Sequence, residues 1–191
     1  MPLLTLHDPT TAARYHEQGL WGEEGLYDHA ARQARTIPDH FAVRDNRRRL
    51  TWRQVEKWSR AIADTLADCG LVIGDRVAMA LSNRAEAVAV MLACSRNGYI
   101  CNPSLHRNYK ASEMLSLVDE LDAAAVVAEK GWSADGVDLI GLIKERTSRC
   151  VCFSISKERE WSQYFPNWDD KIDNSVYPNL GADKICYLAF T

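Results

Sequence analysis

Residues 76–101, RVAMALSNRAEAVAVMLACSRNGYIC, contain a strand, a helix and a second strand in succession. The short apolar run Arg76–Leu81 predicts a buried strand. Residues 83–97 have helical spacing, in which Asn83 and Glu86 are expected to cap the first turn and Gly98 to follow the end. The residues expected to face inward are Ala85, Val88, Leu92 and Ser95. The run Tyr99–Cys101 then predicts a strand parallel to the first, because a helix joins them.

The same alternation continues towards the end of the chain. The pattern predicts helices over Ser112–Leu121 and Val137–Arg146, and strands over Ala123–Ala128, Cys150–Ile155 and Lys184–Phe190. The polar residues 157–183 are expected to form mostly surface loop. Strands that alternate with helices of this length predict an α/β fold, with a mostly parallel sheet flanked by helices.

Three further elements are predicted before this region. Residues 41–51 contain two short apolar runs around the turn Asp45-Asn46, which indicates a small β-hairpin. Thr51 and Gln54 match a capping box, so a long helix is expected to start there and end near Gly70. Its inward residues recur at three- and four-residue steps: Val55, Trp58, Ile62, Leu66 and Cys69. A shorter helix is predicted over Leu26–Arg35, with Leu26, His29, Ala30 and Ala34 on one side, whereas residues 1–25 are interpreted as an irregular lead-in.

Composition excludes several classes of partner. The 191 residues carry a net charge of -3, so the chain has no basic excess with which to bind nucleic acid. The run Arg47-Arg48-Arg49 is interpreted as a solvated hairpin tip. No apolar stretch is long enough to span a bilayer and the first residues lack a secretory signal pattern, which predicts a cytoplasmic protein. The six cysteines are expected to be buried, reduced thiols: Cys69, Cys94, Cys101, Cys150, Cys152 and Cys186.

Ligands of an open parallel sheet bind beyond the carboxyl ends of its strands. Candidate residues at those ends are Asn83, Asn102-Pro103 and Glu129, for which a helix cap, a turn and a solvated carboxylate are the alternative interpretations. The segment Ser104–Lys110 adds His106, Arg107 and Lys110, which could contact phosphate or form a solvated loop. No nucleophile–base pair, metal-ligand cluster or glycine-rich phosphate loop is present in the sequence. No catalytic and no metal-binding residue is therefore predicted.

Several segments, in this order, resemble the adenylate-forming superfamily, which includes acyl-CoA synthetases, aryl-acid activating enzymes and peptide-synthetase adenylation domains. They are Leu50-Thr-Trp-x-Gln-Val55, Gly74-Asp-Arg-Val-Ala-Met-Ala-Leu-Ser-Asn83, Ala85–Gly98 with Asn102-Pro103, Ser112–Ala128 and Ile185-Cys-Tyr-Leu-Ala-Phe-Thr191. The resemblance extends from about residue 26 to residue 191. It implies that the chain is the first subdomain of such an enzyme's N-terminal domain.

The resemblance also implies a reaction. In an AMP-forming acyl-CoA ligase, a carboxylic acid attacks the α-phosphate of Mg-ATP to give acyl-AMP and pyrophosphate, and CoA then displaces AMP. By the same resemblance, Thr191 would be the first residue of the loop that wraps the ATP phosphates. The catalytic lysine and the metal contacts would lie after it. The fragment alone is therefore expected to be inactive and to hold no cofactor, whereas ATP, Mg²⁺ and CoA are implied for the complete enzyme.

Some relatives place an arginine directly after the Asn-Pro pair, where it contacts a CoA phosphate. Here that position is Ser104, so Arg107 or Lys110 is the candidate replacement. Two alternatives stay open: an aryl-acid adenylating enzyme that loads a carrier protein, and an interaction domain that kept the fold without catalysis. The apolar strand at 184–190 also predicts exposed apolar surface, through which the piece could form a homo-oligomer.

Overall fold

The computed structural model describes residues 8–156 and residue 187. Within them the chain forms six helices and six strands. The helices are α1 (Pro9–Glu17), α2 (Leu26–Thr36), α3 (Trp52–Asp68), α4 (Ala85–Asn97), α5 (Ala111–Leu121) and α6 (Leu139–Arg146). The strands are β1 (Phe41–Arg44), β2 (Arg49–Thr51), β3 (Arg76–Ala80), β4 (Ile100–Asn102), β5 (Ala123–Glu129) and β6 (Val151–Ile155).

Strands β3 to β6 form one parallel sheet in the order β4-β3-β5-β6. Successive side chains of β3 point to opposite faces. Val77 and Met79 belong to a core with residues of α3 and α4, whereas Ala78 and Ala80 belong to a second core with residues of α5 and α6. Helices thus cover both faces of the sheet. This confirms the predicted α/β fold and explains why its strands are apolar on both sides.

The hairpin and the long helix after it also agree with the prediction. Strands β1 and β2 pair antiparallel, and the carboxylate of Asp45 accepts the N–H groups of Arg47 and Arg48 at 2.8 Å in the turn. Thr51 Oγ1 accepts the N–H of Gln54 at 3.3 Å, and Gln54 Oε1 accepts the N–H of Thr51 at 2.9 Å. This is the capping box expected from the sequence.

The interpretation of residues 1–25 as irregular was wrong for residues 9–17, which form α1, and agrees with the structure for residues 18–25. Asp8 caps this helix by accepting the N–H of Thr11 at 2.7 Å, and Pro9 occupies the first turn. Ala12 is the helix's only buried residue. A helix without a buried apolar face gives no periodic signal, so only its cap could have revealed it.

The buried faces of the helices differ from the predicted ones in part. Ala30 of α2 is buried, but Leu26 is 46% exposed. In α4 the buried residues include Ala89, Val90 and Ala93, whereas Val88 is 40% exposed. Helix α4 packs against α2 and α3 as well as against the sheet, and small alanines allow these close approaches. Cys69 follows the last residue of α3 and is exposed, so its predicted burial was also wrong.

The Gly74–Val77 segment that supports the family resemblance has a structural role at the amino edge of the sheet. Gly74 has φ of 89°, a conformation that favours glycine. The carboxylate of Asp75 accepts the N–H of Val72 at 2.8 Å. Arg76 donates to the carbonyls of Leu121 at 3.0 Å and Asp122 at 2.8 Å, at the end of α5. These residues fix the loop before β3 and the end of α5.

Most of the predicted strand at 184–190 lies outside the described residues. Residue Tyr187 is described, and it forms a parallel bridge with Cys101 of β4. The proposed loop at 157–183 and Thr191 also lie outside them. No helix between residues 8 and 156 is long and apolar enough to cross a membrane.

Candidate functional site

The loops that follow the four parallel strands lie at the carboxyl edge of the sheet. Residues 81–84 follow β3, residues 103–110 follow β4, residues 130–138 follow β5, and Ser156 follows β6. In open α/β sheets this edge is where ligands bind, because the loops there can vary while the strands hold them in place. The polar side chains of this edge therefore form the candidate functional site.

Arg84 is at the centre of the edge, and its side chain is only 4% exposed. Its guanidinium donates to Glu86 Oε1 at 2.7 Å and to the carbonyl oxygen of Ser156 at 3.1 Å. It also lies 3.4 Å from Glu129 Oε2. One side chain thereby connects the ends of β3, β5 and β6 with the first turn of α4.

Glu129 is buried, so its interpretation as a solvated carboxylate was wrong. Its Oε2 accepts a hydrogen bond from the hydroxyl of Ser82 at 2.5 Å and another from the N–H of Ser82 at 3.2 Å. Together with the contact to Arg84, these bonds hold the carboxylate in a fixed orientation. Burial of a carboxylate requires such partners, because the ionised group loses its water.

The N-terminus of α4 is capped from another element. The N–H of Ala85 donates to Asp45 Oδ2 at 3.0 Å, whereas Arg84 occupies the cap position and makes no side-chain cap bond. The predicted cap by Asn83 and Glu86 was therefore wrong. Asp45 belongs to the hairpin turn, which is distant in sequence but adjacent to α4 in the fold. Its carboxylate stabilises the hairpin turn and the helix end at the same time.

Arg48 connects the hairpin to the same cluster. Its guanidinium lies 2.5 Å from Glu86 Oε1 and stacks over the ring of the fully buried Trp58 at 5.0 Å. The interpretation of Arg47–Arg49 as a solvated tip was therefore wrong for Arg48, whose side chain is 21% exposed. A cation that leaves water in this way needs a carboxylate and an aromatic face as compensation.

The electrostatics of the cluster favour its ionised form. Burial alone would raise the pKa of Glu86, but hydrogen bonds and charge from Arg84 and Arg48 outweigh it and lower that pKa. Burial alone would also raise the pKa of Asp45. Hydrogen bonds from the N–H groups of Ala85, Arg47 and Arg48 outweigh this effect and lower that pKa. The two carboxylates therefore stay charged next to their arginines. We call Asp45, Arg48, Arg84, Glu86 and Glu129 the edge cluster.

The loop after β4 holds the predicted phosphate-contacting residues. Ser104 is 5% exposed, and its N–H donates to Asn102 Oδ1 at 3.2 Å. Arg107 is exposed, and its guanidinium lies 5.9 Å from the centroid of the Trp132 ring in the neighbouring loop. Lys110 is exposed and precedes α5, where its N–H donates to the carboxylate of Glu113 at 2.7 Å. The structure thus leaves Arg107 and Lys110 in solvent and encloses Ser104.

Two neighbouring loops at this edge support each other. The indole N–H of Trp132 donates to the carbonyl of Leu105 at 2.7 Å, and the N–H of Ala134 donates to the carbonyl of Tyr109 at 2.8 Å. Asp135 accepts the N–H of Ala111 at 3.3 Å and so caps α5 from the opposite loop. The loop after β4 is therefore held by the loop after β5. Within residues 8–156 and residue 187, no group of three or more metal-ligating side chains lies together.

The sequence profile of the AMP-binding enzyme family matches residues 30–191 of this chain. Medium-chain fatty-acid–CoA ligase of Escherichia coli K12 is 31% identical over 121 residues, which are 63% of this chain and 21% of that protein. A salicylyl-CoA synthase / salicylate adenylyltransferase of a Streptomyces species is 39% identical over 87 residues, 46% of this chain and 16% of that protein.

Solved structures show the same fold. The apo structure of MbtA from Mycobacterium smegmatis matches with a TM-score of 0.71 at 20% identity, over 97% of this chain and 34% of that one. The chain spans about a fifth of the length of the two curated relatives. Because the family profile covers most of the chain, this protein belongs to the AMP-binding enzyme family.

Proposed function

We propose that this chain is the N-terminal part of an AMP-forming carboxylic acid–CoA ligase. The family match over residues 30–191 carries the proposal, and relatives named as CoA ligases for fatty and aryl acids support it. The complete enzyme would activate a carboxylic acid with Mg-ATP, release pyrophosphate and transfer the acyl group to CoA in the cytoplasm. Residues 26–191 would form one unit of it. Thr191 would begin the loop that holds the ATP phosphates.

Positioning and charge stabilisation are the main demands of this chemistry on a protein. The edge cluster suits the first demand, because Arg84 fixes the ends of three strands at the edge where this fold binds ligands. Its own charges are paired with each other. We therefore assign the cluster to the scaffold of the site, and assign contacts with substrate to the exposed residues of the loops around it.

The direct test is pyrophosphate release. The complete gene product should release pyrophosphate when ATP, Mg²⁺ and its cognate acid are present, and should form a CoA thioester when CoA is added. The 191-residue chain alone should release none. A panel of aliphatic and aromatic acids would identify the substrate. If the complete gene product releases no pyrophosphate with any acid, the result favours the alternative of an interaction domain that kept the fold without catalysis.

Within this function we propose that Arg107 and Lys110, which follow Ser104 in the same loop, contact a phosphate of CoA. Arg107 and Lys110 supply the charge, because both are exposed in the loop after β4, while Ser104 is enclosed beside them. In the complete enzyme, Arg107→Glu should raise the KM for CoA about tenfold or more, as expected when a charged phosphate contact is lost and reversed. Pyrophosphate release in the first step should be unchanged.

Arg149→Glu is a matched control for this substitution. Arg149 is also exposed, but it precedes β6 and so lies at the amino edge of the sheet. The same charge reversal there should leave the KM for CoA unchanged. If Arg107→Glu behaves like Arg149→Glu, the loop after β4 does not contact CoA, although the ligase function itself would stand.

A second candidate is an aryl-acid adenylating enzyme that loads a carrier protein instead of CoA. The similarity to salicylyl-CoA synthase / salicylate adenylyltransferase and to Enterobactin synthase component E, which is 27% identical over 119 residues, favours it. Both functions release pyrophosphate in the first step, so the acceptor distinguishes them. Acyl transfer to a carrier protein, without transfer to CoA, would replace the first proposal by this one.

A further inference from the structure

Cys150 directly precedes β6, and Cys152 is the second residue of that strand. Both cysteines pack at the margin of the core formed with α5 and α6, and both remain partly exposed. Neither is in a disulfide. The two thiols therefore pack against the same core, two residues apart in the chain, and are reachable from solvent.

The local contacts hold the two sulfurs in place. Cys152 Sγ lies 3.5 Å from the carbonyl oxygen of Cys150, and Cys150 Sγ lies 3.9 Å from the carbonyl oxygen of Val151. A hydrogen bond from Cys150 lowers the pKa of the Cys152 thiol, and the charge of Lys144 acts in the same direction against burial. The same hydrogen bond, with burial, raises the pKa of Cys150. Cys152 is thus the thiol that ionises first, and Cys150 is the adjacent proton donor.

The other described cysteines are placed differently. Cys69 follows α3, Cys94 lies on α4 and Cys101 lies on β4. Cys94 and Cys101 are fully buried. In the described part of the chain, no third His, Cys, Asp or Glu side chain completes a metal-binding group. A structural zinc site, which takes four ligands, is therefore not formed by the residues around this pair.

We propose that Cys150 and Cys152 form a dithiol site for a trivalent arsenical. Soft centres prefer thiolate ligands. Two thiols on the same side of the chain can bind one pyramidal As(III) centre together, whereas an ion that prefers two sulfurs in a line would need them on opposite sides of it. In the reaction, an arsenical of the form R–As=O gains two As–S bonds, its oxygen leaves as water with the two thiol protons, and arsenic stays trivalent. No oxidant or reductant is needed.

The test uses phenylarsine oxide and the reduced 191-residue chain. Wild type should bind one phenylarsenic group per chain and lose two titratable thiols, as measured by intact mass and thiol counting. An excess of a small dithiol should remove the group, whereas a monothiol at the same concentration should not. Cys150→Ser and Cys152→Ser should each weaken binding about a hundredfold, because the second As–S bond is intramolecular only when both thiols are present.

Two variants serve as controls. Cys69→Ser removes an exposed thiol that is far in sequence from every other cysteine. Cys186→Ser removes the cysteine that lies outside the described residues. Both should bind phenylarsine oxide as wild type does. Circular dichroism checks that each variant is folded, with Cys152→Ala as a replacement if serine is not tolerated. Monothiol-resistant binding by Cys150→Ser or Cys152→Ser, or no binding by folded wild type, would overturn the proposal.

Discussion

The two edges of the parallel sheet use arginine in different ways. At the carboxyl edge, the side chain of Arg84 is 4% exposed and its partners are two buried carboxylates, Glu86 and Glu129. At the amino edge, the side chain of Arg76 is 27% exposed, and its carboxylate partner Asp122 is 89% exposed. The first arrangement removes several charges from water and the second removes few.

The two edges therefore differ in the free-energy cost of removing charges from water. A buried ion pair loses the hydration of both charges and is often no more stable than an apolar pair of the same size. An exposed arginine on helix carbonyls incurs little of that loss. The costly arrangement is found at the edge where α/β folds bind ligands. Fixed loop ends are needed there, and Arg84 provides them through contacts with three elements.

Removal of Arg84 should give the largest effect and tests the difference between the two edges of the sheet most directly. Arg84→Ala leaves Glu129 buried without its cation and Glu86 with Arg48 alone. We expect the free energy of unfolding of the 191-residue chain to fall by about 3–5 kcal/mol, as when one partner of a buried pair is removed. Urea unfolding followed by tryptophan fluorescence measures it. The control Arg84→Lys keeps the charge but not the fork of donors, so its loss should be smaller.

A much smaller loss of stability for Arg84→Ala would contradict this expectation. A loss below about 1 kcal/mol, the range of exposed pairs, would show that the edge cluster behaves like surface charge. The distinction between the two edges would then be wrong.

Asp45 gives a smaller effect at the same edge. Asp45→Ala removes the carboxylate that caps α4 and accepts two N–H groups in the hairpin turn. We expect a loss of about 1–2 kcal/mol in the free energy of unfolding at pH 7, the upper range for a helix cap. Asp45→Asn keeps an oxygen acceptor and should lose less. Equal losses for the two variants would show that the hydrogen bonds of Asp45 contribute nothing measurable.

The pH dependence follows from the same carboxylates. The pKa values of Asp45 and Glu86 are lowered in the fold, so the unfolded chain binds protons more readily than the folded one as pH falls. Their contribution is fully present above the ordinary carboxylate pKa of about 4 and is lost below it. Wild type should therefore lose stability as pH falls from about 5 towards 3. Asp45→Asn should show a shallower loss over that interval in urea titrations.

The fold could be predicted from the sequence where a periodic apolar pattern met a local end signal. Helix α3 has both, with Thr51 and Gln54 at its start and Gly70 after its end, and it was predicted almost to the residue. Gly98 likewise ends α4 with φ of 74°. Helix α1 has an end signal without an apolar face and was missed. Periodicity reports burial against the core, so it cannot detect a helix that buries one residue.

The edge cluster could not be predicted, because its partners come from separate elements. Asp45 and Arg48 are in the hairpin, Glu86 is on α4 and Glu129 ends β5. Each charge alone resembles a solvated residue, and only the fold brings them together. The carboxyl edge itself was predictable, since it follows from the parallel sheet. The available signal was the presence of charged residues directly after apolar strands.

Arg76 at the amino edge gives the smallest expected effect. Arg76→Ala removes hydrogen bonds to the carbonyls of Leu121 and Asp122 at the end of α5, and we expect a loss of about 1 kcal/mol in the free energy of unfolding. Asp122→Asn is the control, because it removes the charge that faces Arg76 and keeps a residue that tolerates the left-handed backbone at this position, where φ is 51°. It should change the free energy of unfolding by less than about 0.5 kcal/mol, because the removed charge is exposed. Urea unfolding at low and high salt separates the two contributions, since salt screens the ion pair and leaves the carbonyl bonds largely intact. If Arg76→Ala costs as much as Arg84→Ala, the contacts to backbone carbonyls matter as much as the buried ion pairs, and burial does not distinguish the two edges.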